Sequence, residues 1–98
     1  MIATPEVNFT DVNQWIEFLN KLSVRYPKFI SAFERKHPEI RNNKFKVCCM
    51  LLCESRSKEI AAKLELQPNT VDQIRSKLWR EFNLNSSEKL IPYLKELT

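Results

Sequence analysis

Not one of the 98 residues of this chain is glycine. Glycine adopts left-handed backbone without steric cost and lets a main chain approach a phosphate closely. Its absence removes the P-loop, the G-x-G-x-x-G dinucleotide fingerprint and the glycine-rich kinase loop. The Gly-x-Ser-x-Gly nucleophile elbow goes with them. Asn-Gly and Asp-Gly hairpin turns are missing too, which moves the expectation away from β structure. What remains is an all-α chain whose turns are made by other residues.

The length suits one small domain. A hydrophobic fraction of 43 % and a charged fraction of 29 % are ordinary for a folded globular chain. The longest apolar run, Val47 to Cys53, falls far short of the ~20 residues of a membrane span. Met1 to Glu6 has no basic segment followed by an apolar stretch. No secretory leader and no membrane partner are expected, and a cytoplasmic location is. The three cysteines, Cys48, Cys49 and Cys53, lie clustered in the apolar run. An odd cluster does not make a disulfide framework, and core packing is the expectation. A metal site would have to use Cys49, Cys53 and His37. Zinc sites draw four ligands from two spaced pairs, so no metal and no cofactor are expected.

The net charge is +4, with residues 1–42 contributing +1 and residues 43–98 contributing +3. That bias suits an acidic partner such as nucleic acid, and equally suits ordinary solvated lysines.

Apolar spacing predicts a series of helices. Residues 1–10 read as a polar arm. Asp11 can cap a helix to about Arg25, with Val12, Trp15, Ile16, Leu19 and Leu22 on one stripe and Phe18 widening it. A second helix is expected from Pro27, carrying Phe29, Ile30 and Phe33, and broken at His37-Pro38. A third, from about Asn43 to Glu54, has almost no polar face and should be the buried centre. Lys58 to Leu64 forms a short helix after a cap at Ser55 or Ser57. Pro68 to Phe82 follows, with Val71, Ile74, Leu78 and Phe82 inward and Asn69, Asp72, Gln73, Ser76 and Arg80 outward. Asn83 can end it in a left-handed conformation. Ser86 or Asn85 then caps a last helix to about Leu97, with Pro92 ending its first turn or kinking it. The division expected is an N-terminal helical arm, 1–42, packed on a core of 43–98.

A short helix, a tight turn and a longer helix with a polar outer face have the spacing of a helix-turn-helix. Ile60, Ala61, Leu64, Leu66, Val71 and Ile74 would hold the pair together. The second helix of such a pair can project into a major groove about 12 Å wide.

The wording of this stretch, RSKEIAAKLELQPNTVDQIRSKLWREF from Arg56 to Phe82, resembles the LuxR/GerE-type helix-turn-helix. The resemblance rests on Lys58-Glu59-Ile60-Ala61, Leu64, Leu66, Thr70-Val71, Leu78 and the apolar Phe82. It extends upstream to Phe45 and downstream to Leu90, and leaves residues 1–42 outside. Pro68 and the cysteine-bearing preceding helix look like the variants found in Bacteroidetes regulators, where this domain often ends a longer sensor chain. The resemblance implies a tetra-helical core, to which the two N-terminal helices are extra, and a transcriptional regulator that binds double-stranded DNA. It implies base contacts from Asp72, Gln73 and Ser76. Thr70 matches a phosphate-contacting position and Lys58 a lysine near the backbone. Asn69, Lys77 and Arg80 lie where they would also reach phosphate. Arg75 lies nearer the buried edge, where packing is an equal alternative. The family's last helix commonly forms a dimer contact, which Leu90, Ile91, Leu94 and Leu97 would make here. Packing within the monomer is the alternative for those four residues.

This chain departs from the pattern at Arg56, which stands where a hydroxyl cap is usual, and at Glu65, which replaces the turn glycine. Asp72 stands at a position usually held by lysine, and Ile74 at a histidine. An aspartate can accept from cytosine N4 but repels phosphate. Gln73 can pair with adenine N6 and N7.

A second function remains open, a protein-interaction module that keeps this helical fold but binds a protein partner. Asp72, Glu54, Glu59 and Glu65 motivate it, and Trp15, Phe18, Phe29 and Phe33 are either core or a docking patch. An enzyme is not expected. The single histidine, His37, precedes a proline, and no nucleophile–base pair stands out.

Overall fold

Six α-helices and one 3-10 turn make up residues 9–98, the part described by a computed structural model, with no strand among them. The helices are α1 (Val12–Arg25), α2 (Phe29–Lys36), α3 (Asn43–Leu52), α4 (Ser57–Leu64), α5 (Pro68–Glu81) and α6 (Leu90–Glu96). The expected polar arm at 1–10 lies outside the described residues up to Asn8. Phe9 does not fit that expectation, since its ring is buried. Its amide donates to the Lys63 carbonyl at 2.7 Å, and Lys46 Nζ donates to its carbonyl at 2.8 Å.

Asp11 caps α1 as expected, its Oδ1 accepting from the amides of Asn13 at 2.8 Å and Gln14 at 3.3 Å. The stripe of α1 is only half used. Leu22 is buried and Trp15, Phe18 and Leu19 pack against the core, but Val12 is 68 % and Ile16 48 % exposed. Helix α2 begins at Phe29 rather than Pro27. Tyr26, at φ −131° and ψ 74° and so out of the α region ahead of the proline, accepts from the Phe29 amide at 3.2 Å, and Pro27-Lys28 form the turn. His37 ends α2 before Pro38, as the sequence predicts.

Helix α3 is the centre. Every residue from Val47 to Leu52 is buried, and α4, α5 and α6 all lie against it. It ends two residues before Glu54, because Glu54 takes a left-handed conformation at φ 62°. The Glu54 amide then donates to Leu51 at 2.8 Å and the Ser55 amide to Met50 at 3.0 Å. Helices α4 and α5 end the same way, at Glu65 with φ 55° and Asn83 with φ 58°. Leu66 donates back to Ala61 at 2.9 Å, and Leu84 to Trp79 at 2.8 Å. These are Schellman-type ends, which glycine usually makes. Non-glycine residues held there cost on the order of 1 kcal/mol each.

Neither expected serine caps α4. Arg56 occupies the cap position with no side-chain cap bond, and the Glu59 carboxylate accepts from the Arg56 amide at 2.9 Å. The last helix starts with the 3-10 turn Ser87–Lys89, and Pro92 sits in the first turn of α6, where its missing N–H costs nothing. Phe33 ties α2 to the central helices. Its ring meets Phe45 of α3 at 5.5 Å and Phe82, at the end of α5, at 6.2 Å.

Candidate nucleic-acid interface

Helices α4 and α5 are joined by Glu65-Leu66-Gln67, with Glu65 left-handed and Gln67 at the N-cap position of α5, making no side-chain cap bond. Ile60, Ala61 and Leu64 from α4 and Val71 and Leu78 from α5 are buried between the pair and α3. Ile74, expected inward, is half-buried, and Phe82 is buried just past the last turn of α5.

Burying Val71 and Leu78 turns the opposite side of α5 to solvent. Asn69, Asp72, Gln73, Ser76, Lys77 and Arg80 line one shallow groove along it. The sequence-predicted base-contact residues Asp72, Gln73 and Ser76 are thus together, beside the predicted phosphate contacts Asn69, Lys77 and Arg80. Lys58 is exposed on α4, and Thr70 is half-buried at the first turn of α5. The Arg80 guanidinium lies 5.5 Å from the Trp79 ring centroid, an arrangement that restricts its stem while leaving its charge at the surface.

Asp72 is not a bare carboxylate. Ser57 Oγ donates to its Oδ1 at 2.9 Å, and Arg75 Nη1 donates to Ser57 Oγ at 2.9 Å. Sequence reasoning placed Ser57 as a cap and Arg75 between packing and phosphate. The structure gives Ser57 to Asp72 and Arg75 to Ser57. The signal available was the three-residue spacing of Asp72 and Arg75, which makes them neighbours on one helix.

The acidic residues that suggested a protein partner have partners within the molecule. Glu54 pairs with Lys95 at 3.1 Å, Glu59 folds back on its own helix, and Glu65 Oε2 accepts from Thr10 Oγ1 at 3.5 Å. Of the two roles open to the aromatic residues, the core is the one they take. Phe29 and Phe33 are fully buried, and Trp15 and Phe18 stack on each other at 5.3 Å against the core.

The four residues left open between a dimer contact and packing within the monomer divide. Leu90 and Leu94 have no exposed surface, because α6 packs on α3. Ile91 and Leu97 are only partly buried. Two of the four residues are therefore spent inside the monomer.

The cysteines divide. Cys48 and Cys49 are buried, and burial pushes both thiols well up, so neither is a ready nucleophile. Cys53, expected in the core, is exposed, because α3 has ended before it. His37 lies elsewhere, its Nε2 2.6 Å from the Tyr93 hydroxyl. Among the described residues no group of three or more His, Cys, Asp and Glu is placed to hold a metal. No described helix is long and apolar enough to cross a membrane. No protein-family model, curated protein or solved structure matches the chain.

Proposed function

We propose that this chain is a DNA-binding transcriptional regulator built on a LuxR/GerE-like helix-turn-helix, with α5 as the helix that enters the major groove. One observation carries the reading. The exposed side of α5 gathers Asn69, Gln73, Ser76, Lys77 and Arg80 in a single groove, while its other side is sealed against α4 and α3. Lys58, Asn69, Thr70, Lys77 and Arg80 then contact phosphate, and Asp72, Gln73 and Ser76 face base edges. Affinity comes mainly from counterion release at the cations. So few cations give modest affinity for one copy, and a homodimer on two half-sites belongs to the proposal. Its interface would use Ile91 and Leu97, not Leu90 and Leu94. A cytoplasmic location follows from the same role.

The test is fluorescence anisotropy with a random-sequence duplex at about 50 and about 200 mM salt. Affinity should fall steeply between the two. Replacing Lys77 and Arg80 together by alanine should lower the salt slope by about 1 for each phosphate no longer neutralised. Absence of binding at the lower salt would sink the proposal. A protein-interaction role is the second reading, favoured by Val12, Ile16 and Val24, which are 68 %, 48 % and 85 % exposed on α1. It expects a folded chain that ignores DNA.

A further inference from the structure

Ser57 is the first residue of α4, while Asp72 and Arg75 belong to α5. The relay from Arg75 through the Ser57 hydroxyl to Asp72 Oδ1, with both steps at 2.9 Å, therefore ties the two helices together. One hydroxyl has one proton to give and two lone pairs to accept with, so the two bonds coexist. Oδ2 of Asp72 makes no hydrogen bond within the described residues, and Asp72 lines the outer groove of α5.

We propose that Ser57 and Arg75 are positioning residues that hold Asp72 as a fixed acceptor for the exocyclic amine of cytosine, setting a C·G preference at one position of the DNA site. The proposal rests on the DNA-binding reading above. Cytosine is the base that fits a carboxylate in the major groove. It offers the N4 amine there, while guanine offers N7 and O6 and thymine offers O4, all acceptors that repel a carboxylate. Adenine offers an amine, but with the acceptor N7 beside it. The relay does two things for this interaction. It fixes the carboxylate before binding, so that less side-chain freedom is lost on docking. It also places a guanidinium one hydroxyl away from the carboxylate, which offsets part of the repulsion an aspartate exerts on nearby phosphates.

The experiment selects duplexes from a randomised pool with the wild-type chain, then measures anisotropy on the selected duplex and on single-base variants of it. The wild type should show one cytosine whose replacement costs about tenfold in affinity. Asp72→Asn should shift the preference at that position away from cytosine. Ser57→Ala should cut the discrimination to about threefold, with the loss on the cytosine-bearing duplex. Ser57→Thr, which keeps the hydroxyl, should restore it. If Ser57→Ala fails to fold by circular dichroism, Arg75→Met, which removes the donor to the Ser57 hydroxyl, serves in its place, with a loss in the same direction. A cytosine preference unchanged in the Ser57 and Arg75 variants, or absent from the wild type, overturns the proposal while leaving DNA binding intact. A wild-type chain that binds no duplex overturns both, and the two failures are told apart by the random-duplex titration.

Discussion

Helices α1 and α5 are both 14 residues long, and both carry an apolar stripe at helical spacing. They end in different circumstances. Val71 and Leu78 of α5 have no exposed surface. On α1 only Leu22 is buried, while Val12 and Ile16 face solvent. The reason lies in the neighbours. Helix α5 is gripped by α3, α4 and α6. Helix α1 is held by an aromatic cluster, Phe9, Trp15, Phe18 and Phe45, with the Lys46 ammonium 5.3 Å from the Trp15 ring centroid. A stripe records that a helix can bury one side. How much of it is buried depends on how many other helices reach it.

The contrast can be tested by substitution, and the largest effect should come from the gripped helix. Leu78→Ala should destabilise the chain by about 2–5 kcal/mol in urea denaturation, because the site is closed on all sides and cannot collapse freely. Next come the left-handed helix ends, two of which flank α4. Glu65→Gly and Glu54→Gly should each stabilise by about 0.5–1 kcal/mol, read as a rise in melting temperature. Asn83→Gly should gain less, since asparagine tolerates that conformation better.

A smaller effect should appear with pH, at the joint between α2 and α6. Burial lowers the pKa of His37 from its ordinary 6.5, against the raising influence of Glu39. The folded state therefore favours the neutral ring, whose Nε2 can accept from the Tyr93 hydroxyl. Stability should be full above pH 6.5 and should decline as pH falls toward the lowered value, where the folded ring at last protonates. Urea midpoints measured from about pH 7.5 to about pH 5 should show this decline, and His37→Gln should flatten it. The smallest effect belongs to the open side of α1. Ile16→Ala and Val12→Ala should change stability by about 0.5 kcal/mol or less.

Much of this architecture was legible in the residues. The absence of glycine pointed to helices, and the caps and prolines placed most boundaries within two residues. Helix α3 was recognisable as the centre because it has nearly no polar positions. The polar side of α5 was legible as well, since Val71 and Leu78 fix which side must face in. The missed features are those that depend on contacts between distant residues. Phe9 shares its stretch with Ile2, Ala3 and Val7 and belongs to no helical stripe, and its burial depends on Trp15 and Phe18 of α1. Ser57 looked like a cap, and its partners on α5 are 15 and 18 residues away. The burial of Leu90 and Leu94 in the monomer could not be told from a dimer face, because periodicity does not say whose core a stripe enters.

The dependence of α3 on α6 has a consequence for how the chain is made. The residues Val47 to Leu52 emerge from the ribosome well before Leu90 and Leu94, which cover part of them. At about 5–20 residues per second, that interval lasts roughly 2–8 seconds. During that time the most apolar helix of the protein lacks one of its covering layers. A nascent chain stalled between α5 and α6 should therefore be sticky, and its survival should depend on chaperones that shield apolar segments until synthesis moves on.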